Sequence, residues 1–332
     1  MAINLLALQP HKVSRDLSGY ITYIYGRPKT GKTTLAVQAP GALLLAFERG
    51  YNALPGVIAQ DITSWTELKQ VVRELKKPEV REIYKTLIID TVDIAADCCQ
   101  KYICNQLGID NIGDGGWSNN GWAKYKKEFE DVFRSLTQMG YAVIFISHTK
   151  EKTCKRKDGT EYTQITPSLQ TSANSIVENM ADIYAYAHPE RIDGEPKVIL
   201  TMRHEDDTIF CGGRFKYIDS QIEFNYDSLV KALNDAIDRE EQAIKNPTLF
   251  TEKREEVIEK PDYNYDELMA QFTTLVSDLM SKDKAYYSPR ITAIVEKYLG
   301  KGKKVSETTI TQAEFIYLIN SEIEEDLVNA KN

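Results

Sequence analysis

The 332-residue sequence predicts an α/β fold, a mostly parallel sheet flanked by helices with a small all-helical region behind it. Three observations carry this. Short apolar runs (ITYIYG, ALLLAFE, TLIID, AVIFIS) alternate with helix-like stretches, and runs of this kind belong to parallel strands buried on both faces. A glycine-rich turn joins the first run directly to a helix. Beyond about Tyr226 the β pattern stops and only helical periodicity remains.

Each element has a local reason. Residues 20–26, YITYIYG, are aromatic and β-branched and read as a strand. KTTLAVQA reads as the helix after the turn, stopped by Pro40 and Gly41. Residues 42–48 form a buried-type strand ending in an acid. SWTELKQVVREL is an amphipathic helix opened by Ser64 as its cap. TLIID, residues 86–90, is the next strand, and a helix over about 93–107 follows. A Gly/Asn-rich loop, GIDNIGDGGWSNNGW, leads to a long helix over about 123–139 and the strand AVIFIS, residues 142–147. A polar basic stretch then turns at Asp158-Gly159, a hairpin signal. A helix over about 173–182 precedes strands in DIYAYAH, KVILTMRH and RFKYI. Residues 246–264, with two prolines and many charges, read as a linker. Helices near 265–280, 288–299 and 312–327 suit a small bundle. The expected domains are a core over 1–225, a helix and charged linker over 226–263, and an acidic helical region over 264–332.

Charge narrows the function classes. The formal net charge of −8 argues against a protein coated in basic surface for duplex DNA, while leaving room for a local basic groove. Residues 227–332 carry 14 basic and 21 acidic side chains, so the first 226 are close to neutral. The five cysteines, Cys98, Cys99, Cys104, Cys154 and Cys211, show no paired metal-type spacing and no even disulfide framework. The N-terminal MAINLLALQPHK is too short in apolar length for a signal peptide, and no run approaches the roughly 18 apolar residues of a membrane span. A soluble cytoplasmic protein with no membrane partner is expected.

The turn itself carries chemistry. GRPKTGKT, Gly26, Arg27, Pro28, Lys29, Thr30, Gly31, Lys32 and Thr33, fits the phosphate-binding pattern G-x-x-x-x-G-K-[ST], with Thr34 opening the helix behind it. Gly26 and Gly31 let successive backbone N–H groups curl inward around phosphate oxygens. Lys32 reaches the β- and γ-phosphates, the Thr33 hydroxyl ligates Mg²⁺, and the helix aims its positive end at the same anion.

Ligands of such sheets lie beyond the carboxyl ends of the strands. Four strand ends carry polar groups: the loop at Gly26, then Glu48, Asp90 and His148. Asp90 ends an apolar strand in the manner of a carboxylate that holds Mg²⁺. Position 91, where many phosphate-loop ATPases place a catalytic glutamate, holds Thr91. A base is still needed to orient and deprotonate an attacking water, and Glu48 is the candidate. His148 either senses the γ-phosphate through one hydrogen bond or merely caps its strand.

GRPKTGKTT, LLLAFERG, TLIID, NIGDGGW before a long helix, and FISHTKEK with a DG hairpin followed by ITPSLQ together resemble one family. It is the phage-encoded RecA-like ATPases of the single-strand-annealing type, within the broader AAA-labelled phage nucleotide-binding domains. The resemblance covers roughly residues 15–220. It implies a RecA-like core, ATP and Mg²⁺, and a homo-oligomer, ring or filament, with nucleotide at subunit interfaces. It also implies single-stranded DNA binding, annealing or strand exchange in phage recombination, and residence in a host cytoplasm. Lys32, Thr33, Asp90 and Glu48 take the roles already given, Glu48 lying where RecA-type ATPases keep the catalytic glutamate. The loops after Gly108 and His148 correspond to two DNA-facing loops.

Those loops have two readings each from their residues alone. Lys150, Lys152, Lys155, Arg156 and Lys157 make a basic hairpin that tracks a phosphate backbone, or a solvated charged hairpin. Trp117 and Trp122 stack on bases, or anchor a helix start. Relatives also insert an Arg or Lys across the interface to stabilise transition-state charge, and Arg203, Arg214 and Lys216 are the candidates; ordinary pairing at a sheet edge is their other reading. The acidic C-terminal helices bind a partner such as a single-strand-binding protein, or are solvated helices. The rival functions are a DnaB-like hexameric translocase or helicase, and a nucleotide-gated assembly scaffold that does not hydrolyse.

Overall fold

The alternation of apolar residues along each strand is spent on the two faces of one sheet. In β2 (Ile21–Gly26), Tyr23 and Tyr25 go to one core and Ile24 to the other. In β3 (Ala42–Ala46), Leu43 and Leu45 oppose Leu44 and Ala46. The same split recurs in β5 (Thr86–Asp90), with Leu87 and Ile89 against Ile88, and in β6 (Ala142–Ser147), with Val143 and Phe145 against Ile144 and Ile146. Burial on both sides is why these runs read as nearly continuous apolar segments.

The computed structural model describes residues 9–114, 120–204, 207–253 and 263–328. They belong to two compact units, one of residues 10–257, the other of residues 258–332 with the first nine. Within the first unit the sheet runs β12-β10-β9-β2-β6-β5-β3-β4, with β11 (Gly212–Gly213) also on β9. Here β4 is Ala59–Asp61, β9 Ile183–Ile192, β10 Glu195–Thr201 and β12 Gln221–Glu223. Pairing from β9 through β4 is parallel; β10, β11 and β12 join antiparallel. A two-residue pairing of β1 (Val13–Ser14) with β13 (Phe250–Thr251) ties the start of the unit to its end.

Helices cover both faces. On the tyrosine side lie α2 (Trp65–Glu74), α4 (Val92–Leu107), α5 (Gly121–Gln138) and α6 (Thr171–Met180). On the other lie α1 (Lys32–Ala36) and α7 (Tyr226–Ile244). The short α3 (Pro78–Ile83) leads into β5. Ser64 caps α2, its hydroxyl accepting from the Glu67 N–H at 3.3 Å. A parallel sheet sandwiched by helices, with a helical C-terminal region, is the α/β class read from the sequence.

Two local differences have physical causes. RFKYI is a turn rather than a strand: Phe215 and Ile218 are both buried, and the Ile218 N–H donates to the Phe215 carbonyl at 3.3 Å. Its neighbouring carbonyls are already taken by arginines, Arg203 on Phe215 and Lys216, and Arg239 on Tyr217. Helix α7 packs Leu229, Ala232, Leu233, Ala236 and Ile237 into the core beneath the sheet. That i, i+3, i+4, i+7 stripe places the helix with the core rather than with a linker beginning at 226.

The second unit has its own core of Leu279, Ile291, Ile294, Ile316, Ile319 and Ile323. Its helix α8 (Tyr265–Leu299) joins the first two expected helices across a break at Asp283 (φ −158°, ψ 91°), whose carboxylate accepts from the Tyr286 N–H at 3.0 Å. Helix α9 (Ala313–Ile323) supplies the other wall. Among the described residues no helix is long and apolar enough to cross a membrane.

Candidate active site

The strand ends meet at one edge because the parallel registers are level. Tyr25 pairs with Ser147, Ala46 with Asp90, Asp90 with Ile146 and Gly26 with Ala187. Strand β6 lies between the phosphate-loop strand β2 and the Asp90 strand β5. A ligand over this edge therefore has Gly26, His148, Asp90 and Glu48 in a row beneath it.

The loop needs both glycines. A Cβ on Gly26 would stand 2.5 Å from the Ala187 carbonyl oxygen, and Gly31 sits at φ +89°, where side chains are strained. Lys32 follows, buried to 5 % exposure, with Nζ donating to the carbonyls of Gly26 and Arg27 at 2.9 Å each. Among the described residues it has no ion-pair partner. Burial pushes this ammonium down to about 8, while Asp90, Glu48 and Asp93 pull it back up through space. A buried cation touching only neutral carbonyls is a costly arrangement that an incoming polyanion relieves.

Thr33 donates its hydroxyl to Asp90 Oδ2 at 2.6 Å. Asp90 is 3 % exposed, and burial holds its carboxyl above the usual range against the opposing Thr33 bond. A hydroxyl and a carboxylate, both hard oxygen donors beside a phosphate cradle, fit Mg²⁺, which takes few protein ligands and completes its shell with phosphate and water. The groups present thus fit a Mg²⁺–nucleoside triphosphate. Thr33 and Asp90 would hold the metal, and Lys32 with the backbone N–H groups of 29–34 the phosphates.

Glu48 is drawn in by backbone. The Phe47 and Glu48 N–H groups both donate to the Asp90 carbonyl, at 2.8 and 3.2 Å, bending the end of β3 over the Asp90 strand. Its carboxylate lies 3.5 Å from His148 Nε2, both side chains half-buried, so a solvent molecule can reach them. Arg49, the partner a mere surface glutamate would have, pairs with Asp61 at 3.5 Å instead. His148 Nδ1 is buried with no hydrogen-bond partner among the described residues.

The basic stretch forms a hairpin of β7 (Thr149–Lys155) and β8 (Glu161–Pro167), starting one residue past His148 and projecting beyond the strand ends. Its cations differ. Lys150 donates to the Ser168 and Leu169 carbonyls, Lys155 pairs with Glu161 at 3.1 Å, and Arg156 pairs with Asp207 at 3.7 Å and covers the Tyr162 ring. Lys152 and Lys157 are exposed and carry no ion pair among the described residues. Arg27 of the phosphate loop reaches Glu151 of the hairpin at 3.8 Å. Sequence reasoning missed that link, because only the fold brings residues 27 and 151 together.

The arginines expected to act across an interface have partners inside the chain. Arg214 pairs with Asp182 at 2.9 Å and donates to the Asn179 carbonyl, at the amino end of β9, the opposite edge of the sheet from the phosphate loop. Arg203 donates to the Phe215 and Lys216 carbonyls. Lys216 sits over the Tyr217 ring. Trp117 lies outside the described residues. Trp122, in the first turn of α5, is 42 % exposed and sets its ring edge-on to buried Tyr125. Asp93 and Ser168 were also missed, and both prove to border the site.

A family described as "AAA domain" matches residues 18–215, the span that holds the phosphate loop, Glu48, Asp90, His148 and the hairpin. The chain belongs to this family. This AAA domain is therefore a phosphate-loop nucleotide-binding fold. The whole chain is also similar to the SPbeta prophage-derived uncharacterized protein YorG of Bacillus subtilis (strain 168), 32% identical over 332 residues, 98% of this chain and 99% of that protein. Among solved structures it is similar to a KaiC-like protein, PH0186, from Pyrococcus horikoshii OT3, with 18% identity, a TM-score of 0.34, and coverage of 57% of this chain and 81% of that one.

Proposed function

We propose that this AAA-domain protein is an ATP- and Mg²⁺-dependent, single-stranded-DNA-binding recombinase that promotes strand annealing or exchange for a phage. It works as a homo-oligomer, ring or filament, with nucleotide at the subunit interfaces. The observation that carries the reading is one of adjacency. A phosphate loop whose buried lysine has no ion-pair partner among the described residues and a half-open Glu48–His148 pair share one sheet edge with a basic hairpin that starts at the next residue.

The chemistry follows from what each side chain can do. Lys32 leaves its two carbonyl partners for the phosphates and remains charged there. Bound Mg²⁺ would neutralise phosphate charge between Thr33 and Asp90. Glu48 aligns a water and takes its proton. His148 Nε2 faces that carboxylate and fixes its direction, so His148 feels whether the pocket is filled. The hairpin carries this change outward, where Lys152 and Lys157 meet the phosphates of a flexible strand.

The test is a strand-annealing and DNA-binding assay on the full chain, with ATP, with a slowly hydrolysed analogue and without nucleotide. Nucleotide-dependent binding of an unstructured oligonucleotide and faster pairing of complementary strands are expected. Unwinding of a forked duplex would move the protein to the translocases. Assembly on nucleotide with no measurable hydrolysis would make it a scaffold.

A further inference from the structure

We propose that Asp93 is the positioning residue that couples the nucleotide pocket to the basic hairpin, by knotting the foot of the hairpin to the helix that begins beside Asp90. Asp93 is the second residue of α4. One carboxylate oxygen, Oδ1, accepts two hydroxyls from distant parts of the chain: Ser147, the last residue of β6, at 3.1 Å, and Ser168, just past β8, at 2.5 Å. The Ser168 N–H in turn donates to the His148 carbonyl at 2.8 Å. Both feet of the hairpin are thus tied to each other and to α4.

A bland account would make Asp93 a helix-start acid that merely favours the positive end of α4. Its bonds argue otherwise, since they run 54 and 75 residues along the chain. Among the described residues its other oxygen, Oδ2, is buried without a hydrogen-bond partner, as are Oγ1 of Thr91, two residues before it, and Nδ1 of His148, the residue after Ser147. Each such atom has given up its bond to water without a replacement, which opposes folding. Unused hydrogen-bonding capacity gathered at one junction suits an element with a second arrangement, in which these atoms find the partners they lack here. On the pocket side, Asp93 follows Asp90 by three residues at the start of α4, and Ser147 directly precedes His148, whose Nε2 lies 3.5 Å from Glu48. A ligand that shifts Asp90 or Glu48 therefore pulls on backbone that the knot holds. The consequence for DNA rests on the function proposed above; the coupling itself does not.

Cys154, half-buried on β7, reports the hairpin without any DNA. Full-length protein carrying Cys98→Ala leaves it the most accessible thiol, because Cys99, Cys104 and Cys211 are buried. Its rate of reaction with an aromatic disulfide is measured with and without a slowly hydrolysed ATP analogue, alongside nucleotide affinity. In this background the analogue is expected to change the Cys154 rate at least threefold. Asp93→Ala should abolish that response while affinity stays within about threefold, and Asp93→Asn, which keeps the Oδ1 acceptor, should restore most of it. Ser168→Ala cuts only the hairpin leg and should also abolish the response, which covers the case that Asp93→Ala does not fold. A full response in Asp93→Ala or Ser168→Ala overturns the proposal, as does a parent whose Cys154 ignores nucleotide. Failure to anneal DNA with the Cys154 coupling intact would count against the proposed function alone.

Discussion

The carboxyl and amino edges of the one sheet use similar residues in opposite states. At the amino edge the charges are closed off: Asp182 accepts from the Ile21 N–H and pairs with Arg214, which also satisfies a carbonyl. At the carboxyl edge a buried lysine rests on carbonyls, a histidine nitrogen and a carboxylate oxygen have no hydrogen-bond partner among the described residues, and a glutamate stands half-open. Both edges belong to the same fold, so folding does not require the second state. Buried polar atoms elsewhere also lack hydrogen-bond partners among the described residues, Asn234 Oδ1 among them. At the carboxyl edge, though, they stand beside a phosphate loop and a lysine with no ion pair among those residues, and that conjunction marks where a ligand completes the structure.

The strongest way to break this contrast is at Glu48. Glu48→Gln keeps shape and removes the base, so ATP turnover should fall by roughly 10²–10⁴-fold. Nucleotide affinity should stay within about threefold, measured by single-turnover hydrolysis beside equilibrium binding. A parent already as slow as the mutant would remove Glu48 from the chemistry. Next in size is Lys32→Ala. It deletes charge-assisted bonds worth about 1.5–3 kcal/mol each, so affinity for a fluorescent ATP analogue should drop roughly a hundredfold. Retained tight binding would mean that the buried lysine serves the fold, as the amino-edge charges do.

Much of the carboxyl edge was legible in the sequence because it is local. A phosphate loop is eight contiguous residues, and Asp90 and Glu48 end strands whose apolar runs announce them. The order of strands in space was not legible, yet it decides what lies beside what. It brings Glu48 to His148 across the end of β5, sets Arg27 against Glu151, and gathers Ser147 and Ser168 on Asp93. Nor could the sequence say which cations are spent. Arg203 and Arg214 look as available as Lys152 in a one-dimensional string, and only the carbonyls of 215 and 216 and the carboxylate of Asp182 tell them apart.

That distinction predicts unequal effects within the hairpin. Lys152→Ala with Lys157→Ala removes two unpaired charges, and the salt dependence of single-stranded DNA binding should become shallower by about 1.4 in its log–log slope. Lys155→Ala, which loses a charge already shared with Glu161, should change the slope by less than either single variant of that pair. Equal effects from all three would mean that the Lys155–Glu161 pair opens on DNA, and an unchanged slope would take the hairpin out of the interface.

The smallest expected effect lies at the opposite edge and is the sharpest control. Arg214 is well exposed and its pair with Asp182 is a surface one, so Arg214→Ala should cost about 0.5 kcal/mol of stability by denaturant titration. Turnover and its response to DNA should be those of the parent, because Asp182 and the Asn179 carbonyl hold this guanidinium at the sheet edge opposite the phosphate loop. A drop in turnover at unchanged nucleotide affinity would reverse this. It would mean that assembly pulls Arg214 off Asp182 and across the interface, and the closed state of the amino edge would then belong to the lone subunit.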